Sequence, residues 1–199
     1  MSIIGKDTNI GMKNVGAVGS LNVVWDDLQN SGLTLRGGAT APTERLYNFG
    51  IGAGVTFPVM GYAVGDVGYF NIQTSHSQKL NTAIDQHFHY ILPDTTTIGH
   101  KFKFQMDVVA AGIDGAFAVV AGSPFVFEKT VAAGDNTYHR YFEFPDMPAV
   151  NTTVSTVYMC KLSRIASAAT QYSSEVYVIS VDNHYQKDTI GSLSEATKT

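Results

Sequence analysis

The chain has 199 residues, 15% of them charged, with a net charge of -4 and a single cysteine. An average soluble protein carries roughly 25% charged residues. The acidic balance argues against nucleic acid as the main partner, the lone Cys160 excludes a disulfide scaffold, and hydrophobic content of 44% with little net charge excludes disorder.

The first twenty residues show no helical or strand period and carry glycines at 5, 11, 16 and 19. They read as an extended, glycine-jointed arm (1–20), with no apolar stretch of the kind a secretory signal needs. Residues 21–192 read as one β-domain, and 193–199 as a polar tail.

Within that domain, short β-branched and aromatic runs recur between Gly, Pro and Asn-Asp punctuation. In chain order they are LNVVW (21–25), RLYNF (45–49), GVTFPV (54–59), VGYFNIQ (67–73), DQHFHYIL (85–92), KFKFQMDVV (101–109), FAVV (117–120), YHRYFEF (138–144), TVSTVYMCKLSRI (153–165) and EVYVISV (175–181). Many short strands of this kind predict an all-β jelly roll or β-sandwich. WDDLQN and SRIASAAT are the two stretches that read as short turns of helix. Asp26 and Asp27 then fit a helix N-terminus, since on a strand they would point apart.

Two strands expose their faces clearly. Phe102, Phe104 and Met106 alternate with Lys101, Lys103, Gln105 and Asp107, the period of a half-buried strand. YHRYFEF places aromatics on both faces, which suits a strand between two covered surfaces. The apolar stretch 108–127 has the length of a membrane span. Asp114 near its middle and the Asp114-Gly115 turn signal make it a hairpin instead, so no membrane partner is expected.

The most pointed chemical feature is Asp85-Gln86-His87-Phe88-His89-Tyr90. On a strand Asp85, His87 and His89 share a face, and that set is the candidate metal site. Copies of it around a three-fold axis would supply an octahedral transition-metal centre, which favours a homotrimer. The plainer reading is two hydrogen-bonded histidines in a semi-polar strand. A cupin enzyme also begins from His-x-His, but Pro93-Asp94 stands where its glutamate belongs and His100 lacks the usual spacing. No residue is assigned as catalytic or as binding an organic cofactor; a structural transition metal is the one cofactor considered.

VVWDDLQ (23–29), TSHSQKLNTAIDQHFHY (74–90), VYMCKLSRI (157–165) and VYVISVDNHYQKDTIGS (176–192) together resemble a family of small structural proteins from tailed-bacteriophage particles. The closing Asp-x-His-Tyr-x-x-Asp-x-x-Gly-Ser, Asp182 to Ser192, is the most specific part. The sequence departs from the family pattern at Asp85, where a third strand histidine would stand. His76 and His184 match family positions. The resemblance implies a non-catalytic virion protein, assembled in the host bacterial cytoplasm. Its expected role is capsid decoration or cement, or a head-fibre-like trimer, with itself and virion proteins such as the major capsid protein as partners. The alternative is a tail or tail-fibre component that binds the host surface; a metal-dependent cupin-like enzyme is the third reading.

Overall fold

The computed structural model describes residues 24–31, 36–37, 40–50, 54–149, 153–168 and 170–188. The expected arm (1–20) and tail (193–199) lie outside the described residues. Among the described residues there is no helix; twelve strands form two six-stranded antiparallel sheets, as the sequence predicted for an all-β sandwich.

The first sheet runs β10 (Arg140–Glu143), β6 (Asp85–Ile91), β12 (Val176–Lys187), β4 (Phe57–Tyr62) and β3 (Thr43–Tyr47). Strand β12 is long enough to take two partners along one edge. Its start pairs with β4, and Ser180–Lys187 pairs with β1 (Val24–Ser31). A register shift between Val178 and Ser180 lies between the two pairings. The second sheet runs β2 (Arg36–Gly37), β5 (Val67–Gln73), β11 (Val157–Ile165), β7 (Lys101–Ala111) and β8 (Ala118–Val119). The remaining strand, β9 (Phe125–Thr130), pairs with the first half of β7.

The sheets meet through the alternate residues that the period-two pattern assigns inward. Phe102, Phe104 and Met106 of β7 are fully buried, and so are Phe88 and Tyr90 of β6 and Val176, Val178 and Val181 of β12. Phe142 of β10 stacks on Phe88, Phe104 and Phe127, with ring centroids 5.3, 5.4 and 4.5 Å away. Burying such rings stabilises each by roughly 1.5–3 kcal/mol. This packing fixes the outer face as firmly as the inner one, because a one-residue slip of β6 would exchange His87 and His89 for Phe88 and Tyr90.

Three local expectations change. WDDLQN is strand β1, not helix, with Leu28 packed against the core. Asp26 and Asp27 therefore do point apart: Asp26 accepts from Lys187 and Tyr185, and Asp27 pairs with His184. In SRIASAAT, Ser163–Ile165 complete β11 and the described residues after them are not helical. The stretch 108–127 is a hairpin between β7 and β8, turning at Asp114 with φ of 60°, followed by the start of β9. Among the described residues no helix is long and apolar enough to cross a membrane.

Candidate functional site

The outer face of the first sheet carries titratable groups where most sheets carry inert polar residues. Asp85, His87 and His89 project from β6, as their spacing predicted. The neighbouring strands set what they meet. Register places His87 opposite Asp182 of β12 on one side and Glu143 of β10 on the other. His89 lies opposite Tyr141, and Asp85 opposite His184.

His87, His89 and Asp182 converge. Their ligand atoms lie within 4.8 Å of one another. His89 Nε2 is 2.8 Å from Asp182 Oδ2 and 3.1 Å from His87 Nε2, and His87 Nε2 is 3.7 Å from the same carboxylate oxygen. A point about 2 Å from all three atoms exists, which is the bond length zinc takes to imidazole nitrogen and carboxylate oxygen. Asp182 is 4% exposed, and Gln29 Nε2 donates to its Oδ2 at 3.2 Å. Its other oxygen, Oδ1, is buried without a hydrogen-bond partner. The two imidazole nitrogens face Oδ2, not this oxygen.

His87 is held below the usual imidazole range, first by burial and then by the repulsion of His184 and His89. It is thus a neutral imidazole at neutral pH, the form that binds a metal. The rings of His87 and His184 lie edge to face at 4.4 Å. His139, at the entry to β10, places its Nε2 2.5 Å from Nδ1 of His89. Tyr141 stands beside the cluster with its ring 5.7 Å from that of His87 and 57% of its surface exposed.

Of the three expected ligands, the structure brings His87 and His89 together and leaves Asp85 out. The Asp85 carboxylate faces His184 Nδ1 at 3.7 Å instead. Asp182 takes its place, so a three-donor set is complete within one chain without a symmetry axis. The remaining histidines do other work. His76 bonds Ser155 Oγ at 2.9 Å, His184 pairs with Asp27 at 2.9 Å, and His100 meets the Gln171 carbonyl oxygen at 3.1 Å. Asp94 accepts from Thr96 and Ser174. Neither His100 nor Asp94 joins the cluster, which removes the cupin-like arrangement.

No family model and no curated protein matches the sequence. Solved structures do resemble it in fold. A family 35 carbohydrate-binding module from Clostridium thermocellum shares 12% identity over 79% of this chain and 97% of that one, with a TM-score of 0.43. A family 35 module from Cellvibrio japonicus shares 11% identity over 82% and 99%, with a TM-score of 0.42. A family 22 xylan-binding domain from Paenibacillus barcinonensis shares 8% over 84% and 98%, with a TM-score of 0.39. The likeness is one of β-sandwich fold. The expected role as a capsid decoration, head-fibre or tail protein is withdrawn: the three structures named are carbohydrate-binding modules, not particle components.

Proposed function

We propose that the protein is a non-catalytic binding module that holds one divalent transition metal, zinc in the first instance, on the outer face of its first sheet. His87 and His89 supply two imidazole nitrogens, and Asp182 supplies a carboxylate oxygen. The observation that carries this reading is the convergence of the His87 and His89 Nε2 atoms on Oδ2 of the buried Asp182 carboxylate. Two nitrogens and one oxygen suit zinc and its neighbours better than calcium or magnesium, which take oxygen. Three protein donors would leave a fourth position of a tetrahedral zinc open. A carboxylate or hydroxyl of a partner molecule fits that position.

Isothermal titration with zinc chloride tests the reading. One zinc per chain is expected, with binding lost in Asp182→Asn, which keeps the shape and removes the charge. Unchanged binding in that variant overturns it.

Tyr141 supports a second reading. An exposed aromatic ring beside hydrogen-bonding side chains on a flat strand face is a platform on which a sugar ring stacks. The modules named above bind carbohydrates; in this chain the same face would do so directly, without metal. Soluble xylan and pectin fragments, titrated with and without a chelator, separate the two. Saccharide binding that survives the chelator and fails in Tyr141→Ala supports the second reading over the first.

A further inference from the structure

We infer that His139 is a positioning residue for the metal site, accepting the Nδ1 proton of His89 and so fixing the tautomer in which His89 Nε2 is free to ligate. The inference rests on the metal-binding reading above and adds to it a residue that supplies no ligand atom.

The geometry divides the two nitrogens of His89 between two tasks. Nε2 faces Asp182 and His87, and Nδ1 faces His139 Nε2 at 2.5 Å. His139 is not in the group whose donor atoms lie within 4.8 Å of one another. It therefore acts from behind the ligand. A neutral imidazole carries one proton on two nitrogens. When Nε2 gives its lone pair to a metal, that proton must sit on Nδ1. His139 Nε2, on the exposed side of the pair, is placed to accept an Nδ1–H of His89 in competition with water. His139 then carries its own proton on Nδ1.

The fold holds His139 in place with more care than an incidental surface histidine needs. The preceding turn is closed by bonds from the Thr137 and Tyr138 N–H groups to the Gly134 carbonyl. Gly134 has φ of +84°, and a Cβ there would come within 2.6 Å of the Tyr138 ring. Asp135, 2% exposed, accepts from the Ala132 N–H and pairs with Arg140 at 2.9 Å. Arg140 in turn lies 5.2 Å from the Tyr138 ring centroid. These contacts bracket residue 139 on both sides and aim it at β6. Partners that orient a metal-bound histidine in this way typically contribute 10–100-fold to affinity.

Zinc titrations of the full chain, His139→Ala and His139→Gln form the test. Glutamine keeps an acceptor oxygen near the position of Nε2. His139→Ala should weaken zinc about 10–100-fold, and His139→Gln should recover most of that loss. Nitrogen-15 NMR of the zinc-bound protein should show His89 ligated through Nε2 with a protonated, hydrogen-bonded Nδ1. In His139→Ala that proton should exchange rapidly with water. A merely structural role moves neither the tautomer signal nor the Ala–Gln difference. Alanine binding zinc as tightly as the natural residue, or glutamine no better than alanine, overturns the inference and leaves the metal site standing. No zinc affinity in the natural protein overturns both.

Discussion

Arg164 and Asp182 are both almost fully buried, and the two take different kinds of partner. The Arg164 guanidinium, with 0% of the residue exposed, donates to the backbone carbonyls of Tyr62, Ser174 and Tyr172 at 2.5, 2.6 and 2.6 Å. Among the described residues no carboxylate forms an ion pair with it, its Nε is buried without a hydrogen-bond partner, and burial pushes its pKa down to about 10. Its acceptors are main-chain atoms fixed by the fold, so the arrangement ties the end of β4 to the loop before β12 and has one state. Asp182 instead meets side chains from two other strands on one oxygen and nothing on the other. Side chains can exchange partners where backbone cannot. The first cluster is built to hold the fold, the second to take up a ligand.

The largest effect should come from breaking the first cluster. Arg164→Met strands three carbonyls in or near the core, and urea unfolding should show a loss of about 3 kcal/mol or more. Asp182→Asn in the absence of metal should cost less, about 1–2 kcal/mol, because it weakens only the side-chain bonds from His89 and Gln29 to Oδ2. Equal losses in the two variants would erase the distinction between them.

Zinc should then act on the second cluster alone. At a hundredfold excess over its dissociation constant a ligand stabilises by about 2.7 kcal/mol. For a domain of this size that raises the melting temperature by roughly 5–10 °C. The rise should vanish in His87→Ala, His89→Ala and Asp182→Asn.

High pH should sharpen the comparison from the core side. Burial raises the phenols of Tyr62, Tyr90, Tyr158 and Tyr172, and it pushes the Cys160 thiol up to about 12. These groups ionise in the unfolded chain near pH 9–10 but stay protonated in the folded one. Their contribution is complete below that range and is lost as pH rises through it. Each group that ionises only on unfolding removes about 1.4 kcal/mol per pH unit. Urea midpoints at pH 8, 9.5 and 10.5 should fall steadily. The smallest expected effect is at Cys160 itself: Cys160→Ala should leave zinc affinity unchanged within about twofold, since the thiol faces the core away from the cluster.

The sequence reveals the strands best where apolar and polar residues alternate without exception. In β7 that contrast places Phe102, Phe104 and Met106 inward, and all three are fully buried. It fails at WDDLQN, where adjacent carboxylates suggest a helix start. Their side-chain partners come from β12, more than 150 residues away: Lys187 and Tyr185 for Asp26 and His184 for Asp27. It also merges β9 into the preceding hairpin, because the pairing of Phe125–Thr130 with the first half of β7 follows from topology, not local pattern.

The site divides in the same way. Period two correctly puts Asp85, His87 and His89 on one face. A strand rises about 3.3 Å per residue, however, so Asp85 and His89 are separated by roughly 13 Å along β6. A directly opposite residue on the next strand is only about 5 Å away. The third donor therefore had to come from across the sheet, and Asp182 sat unrecognised inside the motif that closes the chain. His139 was legible as part of an aromatic strand but not as a neighbour of His89, because only the β10–β6 register brings them together.

The most direct test of the account is the zinc content of the dialysed protein and of Asp182→Asn, measured by mass spectrometry after exposure to equimolar zinc. The account predicts one zinc per chain in the natural protein and none retained in the variant. Equal zinc in the two, or none in either, would contradict it.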